Sequence, residues 1–157
     1  MEDLVLKSTI HVAQLSELTE NERSLVNQAI EATHRSYAPY SRFHVGAALL
    51  LRNGMTFIGC NQENAAFPAG LCAERTALFA AGACYPDEPV TMIAIAARNE
   101  QGELLSEPIT PCGTCRQVLI ETETRFKHPV RILLYGQHHT YIVDGIGKLM
   151  PLSFTEF

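Results

Sequence analysis

Three cysteines on two separated segments place the strongest constraint on how this chain folds. Cys112 and Cys115 stand three apart in Thr110-Pro111-Cys112-Gly113-Thr114-Cys115-Arg116-Gln117, and Cys72 lies earlier, in Leu71-Cys72-Ala73-Glu74-Arg75. Pro111 suits a helix start, and a three-residue spacing on a helix puts both sulfurs on one face. Cys72 opens a second segment of helix-forming composition. Free N–H groups and the helix dipole at two such starts favour thiolate over thiol. Three thiolates leave the fourth tetrahedral position of a zinc ion open, as in a catalytic zinc site. Taken alone, the Cys-x-x-Cys pair also fits a structural half-site, a redox pair or chance. The total of five cysteines is odd and argues against a disulfide framework. Cys60 and Cys84 then read as small buried hydrophobes.

The neighbours of these cysteines carry chemistry of their own. Glu74 is two residues after Cys72, so the helical face does not favour it as a ligand. It can still reach water at the open position, where a carboxylate is placed for proton transfer. Three thiolates on Zn²⁺ leave a formal negative charge and weaken the ion as a Lewis acid. A guanidinium hydrogen-bonded to a thiolate restores acidity. Arg75 and Arg116 both qualify, and Arg75 is favoured.

The remaining pattern alternates helix and strand. Thr19 and Glu22 form a capping box ahead of Leu25, Val26, Ala29 and Ile30, which follow helical spacing. Phe43–Leu51 and Thr56–Cys60 read as a hairpin around Asn53-Gly54, both of which tolerate positive φ. A helix over Cys72–Ala83, a strand over Val90–Ala97 and a helix over Cys112–Thr122 follow. Strands over Val130–Tyr135 and Thr140–Val143 and a short helix near Ile146–Met150 complete the order. This order predicts an α/β fold, a three-layer α/β/α sandwich on a central mixed sheet of about five strands. Residues 1–18 read as an N-terminal extension with a possible added strand over Ser8–Val12, and 19–157 as one domain. His138 and His139 are expected on opposite faces at the surface. Arg125, Lys127, His128 and Arg131 are expected along a solvated edge.

Composition narrows the partners. The chain of 157 residues carries a net charge of −5, a poor match for a polyanion, so no nucleic-acid partner is expected. Apolar runs such as Val45–Leu51 are far short of the about 20 residues a membrane helix needs, so no membrane partner is expected. The acidic start Met1-Glu2-Asp3 lacks the features of a signal peptide, and a cytoplasmic location is expected.

Cys72-x-Glu74 with Pro111-Cys112-x-x-Cys115 matches the zinc deaminase signature, with cysteine in place of its usual histidine. Over residues 20–154 the chain resembles the small homotetrameric cytidine deaminases. The resemblance runs through Tyr40-Ser41-Arg42-Phe43-His44-Val45-Gly46-Ala47-Ala48, Asn61-Gln62-Glu63-Asn64-Ala65, the two cysteine segments, and Leu149-Met150-Pro151-Leu152-Ser153-Phe154. It implies one Zn²⁺ per subunit on Cys72, Cys112 and Cys115, with Glu74 as proton shuttle. It implies that Asn61 and Glu63 hold the ribose hydroxyls, that Phe43 packs on the pyrimidine and that the Ala73 backbone meets the base edge. Phe154 and Phe67 would be contributed from a neighbouring subunit of a homotetramer. The substrate implied is a small-molecule nucleoside, cytidine or 2′-deoxycytidine, in pyrimidine salvage. Phe67 stands where many relatives carry tyrosine, so a hydroxyl near the ribose 5′ end is lost. Met150 replaces the usual leucine, and residues 1–18 lie outside the resemblance. A deaminase of a related cytosine nucleoside or antibiotic, a polynucleotide-editing deaminase and a non-enzymatic zinc module are the competing readings.

Overall fold

The computed structural model describes residues 1–155; the last two residues of the expected 19–157 domain lie outside them. The elements are β1 (His11–Ala13), α1 (Glu20–Ala32), β2 (His44–Leu51), β3 (Thr56–Cys60), α2 (Ala73–Cys84), β4 (Val90–Arg98), α3 (Gly113–Phe126), β5 (Arg131–Tyr135) and β6 (Thr140–Asp144). They build one sheet in the order β1-β6-β5-β4-β2-β3. Only β4 and β5 run parallel, joined through α3, and every other pair is antiparallel.

The sheet has six strands rather than about five, because the N-terminal stretch joins it. β1 pairs with the edge strand β6, His11 opposite Ile142 and Ala13 opposite Thr140. The pairing begins three residues later than the alternation over Ser8–Val12 predicts.

Alternation along the central strands sorts side chains into two cores. Ala47, Leu49, Ile93 and Ile95 pack beneath α2 and α3 with Leu119 and Ile132. Ala48, Ala94 and Ala96 face the other way, against Leu25, Val26 and Ala29 of α1. The sheet therefore lies between one helix and two, the three-layer sandwich expected from sequence.

Glycine fixes how near α2 comes to the sheet. A Cβ on Gly59 of β3 would stand 2.3 Å from the Ala73 carbonyl oxygen and 2.5 Å from the Ala77 nitrogen. The start of α2 is thus seated directly on β3. The β2–β3 turn differs from the expected pair of positive φ values. Only Gly54 is left-handed, at φ 86°. Its N–H donates to the Leu51 carbonyl at 3.0 Å, and the Met55 N–H donates to Asn53 Oδ1 at 3.0 Å. Asparagine thus caps the turn with its side chain while glycine alone takes the left-handed bulge position.

The capping box forms as predicted. The Thr19 N–H donates to Glu22 Oε2 at 2.8 Å, and the Glu22 N–H to Thr19 Oγ1 at 3.3 Å. Other surface expectations change. Arg131 is not on a solvated edge: it pairs with Glu22 and with Asp144, each at 2.6 Å. Cys84 is exposed and Cys60 half-buried, so neither is a core residue. His138 and His139 lie in the β5–β6 turn, not in a strand, and both rings come within 3.1 Å of the Glu107 carboxylate.

Candidate active site

Two helix starts meet at one end of the molecule. Cys72 and Cys112 are the residues that precede the first turns of α2 and α3, both in extended conformation, and neither side chain caps its own helix. Both sulfurs are therefore free to point elsewhere. Cys115 lies one turn into α3 and is fully buried. The three sulfurs lie within 4.8 Å of one another, and Cys72 Sγ and Cys112 Sγ are 3.7 Å apart. Zinc–sulfur bonds of about 2.3 Å at tetrahedral angles put sulfurs about 3.8 Å apart, so the three cysteines fit a zinc ion.

Titration within the cluster points the same way. A hydrogen bond from the Cys115 thiol, opposed by burial and aided by the Arg75 guanidinium, draws the Cys72 thiol down to about 5. Cys115 is pushed up, first by holding its proton for Cys72 and then by burial. Sulfurs this close ionise together only when a cation joins them.

Glu74 is 5% exposed. Burial, with the Cys72 charge adding to it, raises its carboxyl above the usual range. A carboxyl raised in this way is better suited to take up and give back a proton. The Arg75 guanidinium stands 3.7 Å from Cys72 Sγ, and its Nε is buried with no hydrogen-bond partner. Arg116 does not turn to a sulfur in the same way, but to backbone carbonyls and one hydroxyl. The preference for Arg75 as the partner of a thiolate therefore agrees with the geometry.

A cavity of about 210 Å³ opens over the cysteines, with Val45, Asn61, Cys72, Glu74, Thr110 and Cys112 in its wall. Ala73, fully buried, also lines it. A wider cavity of about 530 Å³ shares Asn61 and Cys72 with it and adds Tyr40, Glu63, Phe67 and Arg75. The loop between β3 and α2 links the two. Its Gln62 exchanges backbone hydrogen bonds with Leu71, at 2.9 and 3.0 Å, which folds Cys72 back beside Asn61.

Asn61 and Glu63 also act on the protein itself. Asn61 Oδ1 accepts the Val45 N–H at 2.8 Å, and its Nδ2 donates to the Phe43 carbonyl at 2.9 Å. One lone pair and one N–H of that amide remain. Glu63 accepts from the Tyr40 N–H at 2.8 Å, the Ser41 N–H at 3.2 Å and the Ser41 hydroxyl. The Ser41 hydroxyl is the main cause that holds its carboxyl below the usual range. Phe43 is half-buried and lines neither cavity. Phe67 is 83% and Phe154 64% exposed; the Phe154 carbonyl accepts from Gln117 Nε2 at 3.3 Å. Val45 and Thr110 are wall residues that the sequence reading did not single out. Thr110 was marked only by standing next to Pro111.

With this geometry in place, similarity to known proteins is informative. Residues 19–128 match the family model of the cytidine and deoxycytidylate deaminase zinc-binding region. The chain belongs to this deaminase family. A cytidine deaminase of Halalkalibacterium halodurans is 45% identical over 97 residues, 62% of this chain and 68% of the relative. A cytidine deaminase of Mycobacterium tuberculosis is 39% identical over 133 residues, covering 83% of this chain and 86% of the relative. The crystal structure of cytidine deaminase from Burkholderia pseudomallei superposes with a TM-score of 0.72 at 38% identity. That match covers 87% of this chain and all of the solved one. The deaminase zinc-binding region spans both cysteine segments, and no helix among the described residues is long and apolar enough to cross a membrane.

Proposed function

We propose that the chain is a cytidine deaminase that hydrolyses cytidine and 2′-deoxycytidine to uridine and 2′-deoxyuridine, releasing ammonia, in pyrimidine salvage. The observation that carries this reading is a buried Glu74 beside three cysteines spaced for zinc, in the wall of a cavity of about 210 Å³. Cys72, Cys112 and Cys115 would hold one zinc ion per subunit. When bound, the zinc lowers the pKa of a coordinated water toward neutrality. Glu74 accepts a proton from the attacking water and passes it to N3 of the ring. Oxygen adds to C4, and Glu74 moves a second proton to the amino group. The C4–N bond then breaks, so water and cytidine become uridine and ammonia. Arg75 withdraws charge from the Cys72 sulfur and keeps the site acidic.

In the wider cavity, the remaining lone pair and N–H of Asn61 and the Glu63 carboxylate would take the ribose hydroxyls. The Ala73 backbone would meet the base edge, and Phe43, which lines neither cavity, would turn its ring inward to pack on the pyrimidine. Phe67 and Phe154 are exposed because, in this reading, they serve a neighbouring subunit of a homotetramer. The test is metal and substrate together. The zinc-loaded protein is expected to convert cytidine and deoxycytidine, to lose activity on chelation and to regain it on adding zinc. It should ignore a single-stranded oligonucleotide. Zinc-loaded protein that turns over no cytosine nucleoside would refute the assignment, and conversion confined to a modified cytosine nucleoside would move it to that substrate.

A further inference from the structure

Arg116 spreads one guanidinium over three parts of the chain. Its Nε donates to the Pro111 carbonyl at 2.9 Å. One terminal nitrogen donates to the Leu149 carbonyl at 2.5 Å, and the other to Thr110 Oγ1 at 3.3 Å. Pro111 is the residue before Cys112. Thr110 is a wall of the small cavity that also holds Glu74. Leu149 begins the segment that runs to Phe154, whose carbonyl takes the side chain of the next residue of α3, Gln117.

These partners lie in different directions. A planar fork with five N–H donors can serve all three at once, and an ammonium on a flexible stem cannot hold that arrangement. The contacts also differ from those of Arg75, which reaches a sulfur.

We propose that Arg116 is a positioning residue, which sets the Cys112 sulfur and the Thr110 wall in place and ties both to the C-terminal tail. It acts through Pro111 and Thr110 and touches no reacting atom. The tail contact makes the metal end of α3 and the Phe154 segment one mechanical unit. The inference rests on the zinc-deaminase reading for its consequence in turnover, but not for its consequence in metal retention.

The test compares zinc-loaded wild type with Arg116→Lys, Thr110→Val and the double variant. Two quantities are read: the rate at which zinc passes to a coloured chelator, and kcat and KM for cytidine. Arg116→Lys is expected to release zinc roughly 10–100-fold faster and to lower kcat more than it raises KM, the range typical for partners of metal ligands. Thr110→Val should shift both quantities in the same direction by less, and should add little on top of Arg116→Lys, since its partner is already gone. Zinc release and kcat within about twofold of wild type, at equal folded fraction, would overturn the proposal. If Arg116→Lys does not fold, Thr110→Val decides alone, and parity with wild type then overturns it. If wild type itself fails to deaminate cytidine, the functional reading falls, while the zinc-release rates still decide the role of Arg116.

Discussion

Asn61 shows how much one side chain does here. Both ends of its amide bind the entrance of β2, and its side chain lines both cavities. Asn61→Ala leaves the Val45 N–H and Phe43 carbonyl without these partners. It is expected to cost about 1–3 kcal/mol in urea unfolding, besides raising KM. Arg75→Ala presents the opposite case. Its guanidinium reaches Cys72 from a half-buried position. Turnover is expected to fall roughly tenfold or more at equal zinc content. Unchanged turnover would remove Arg75 from the account.

At the scale of elements, α2 and α3 deliver their N-termini to the site because the sheet holds them there. Gly59 lets Ala73 and Ala77 touch β3. Gly59→Ala would push the start of α2, and Cys72 with it, off the sheet. The expected result is a loss of about 1–3 kcal/mol and weaker zinc retention, read by thermal unfolding and metal analysis. On the other side of the sheet, α1 is tied to β5 by Glu22 and Arg131 at 2.6 Å. Burial pushes the Glu22 carboxyl up, but hydrogen bonds from the Thr19 backbone, Arg131 and the Thr19 hydroxyl outweigh it and hold it below the usual carboxylate range. A carboxyl lowered on folding stabilises the protein above its unfolded pKa, and the contribution disappears as pH falls through the folded value. Glu22→Gln is therefore expected to cost about 1–2 kcal/mol at pH 7. The difference from wild type should shrink below about pH 4.5. A difference that stays constant with pH would contradict an ionic link.

At the scale of the molecule, much was legible in the sequence because the signals were local. The Thr19–Glu22 box fixed the start of α1, and the order of helices and strands announced a layered fold on a mixed sheet. The cysteine spacing announced two helix starts at one metal site. What was not legible depends on contacts between distant segments. Arg131 meets Glu22 across 109 residues, and nothing near either residue signals it. The additional strand, β1, consists of three residues whose place in the sheet is set by pairing with β6. Cys84 looked like a core residue by type, yet it ends α2 where the helix leaves the sheet. For the site, residue types marked the ligands and Glu74, but Val45 and Thr110 entered only through folding. The exposure of Phe67 and Phe154 is compatible with the homotetramer proposed above. Sedimentation at working concentration should give a tetramer, and a clean monomer would contradict a shared site.

The central claim is that Glu74 carries the proton in a zinc-dependent deamination. Its most direct test is ammonia release from cytidine by zinc-loaded wild type and Glu74→Gln, with zinc measured in both. The account predicts equal zinc and a rate lower by roughly 10²–10⁴-fold in the variant. Equal zinc with near-normal ammonia release from Glu74→Gln would contradict it.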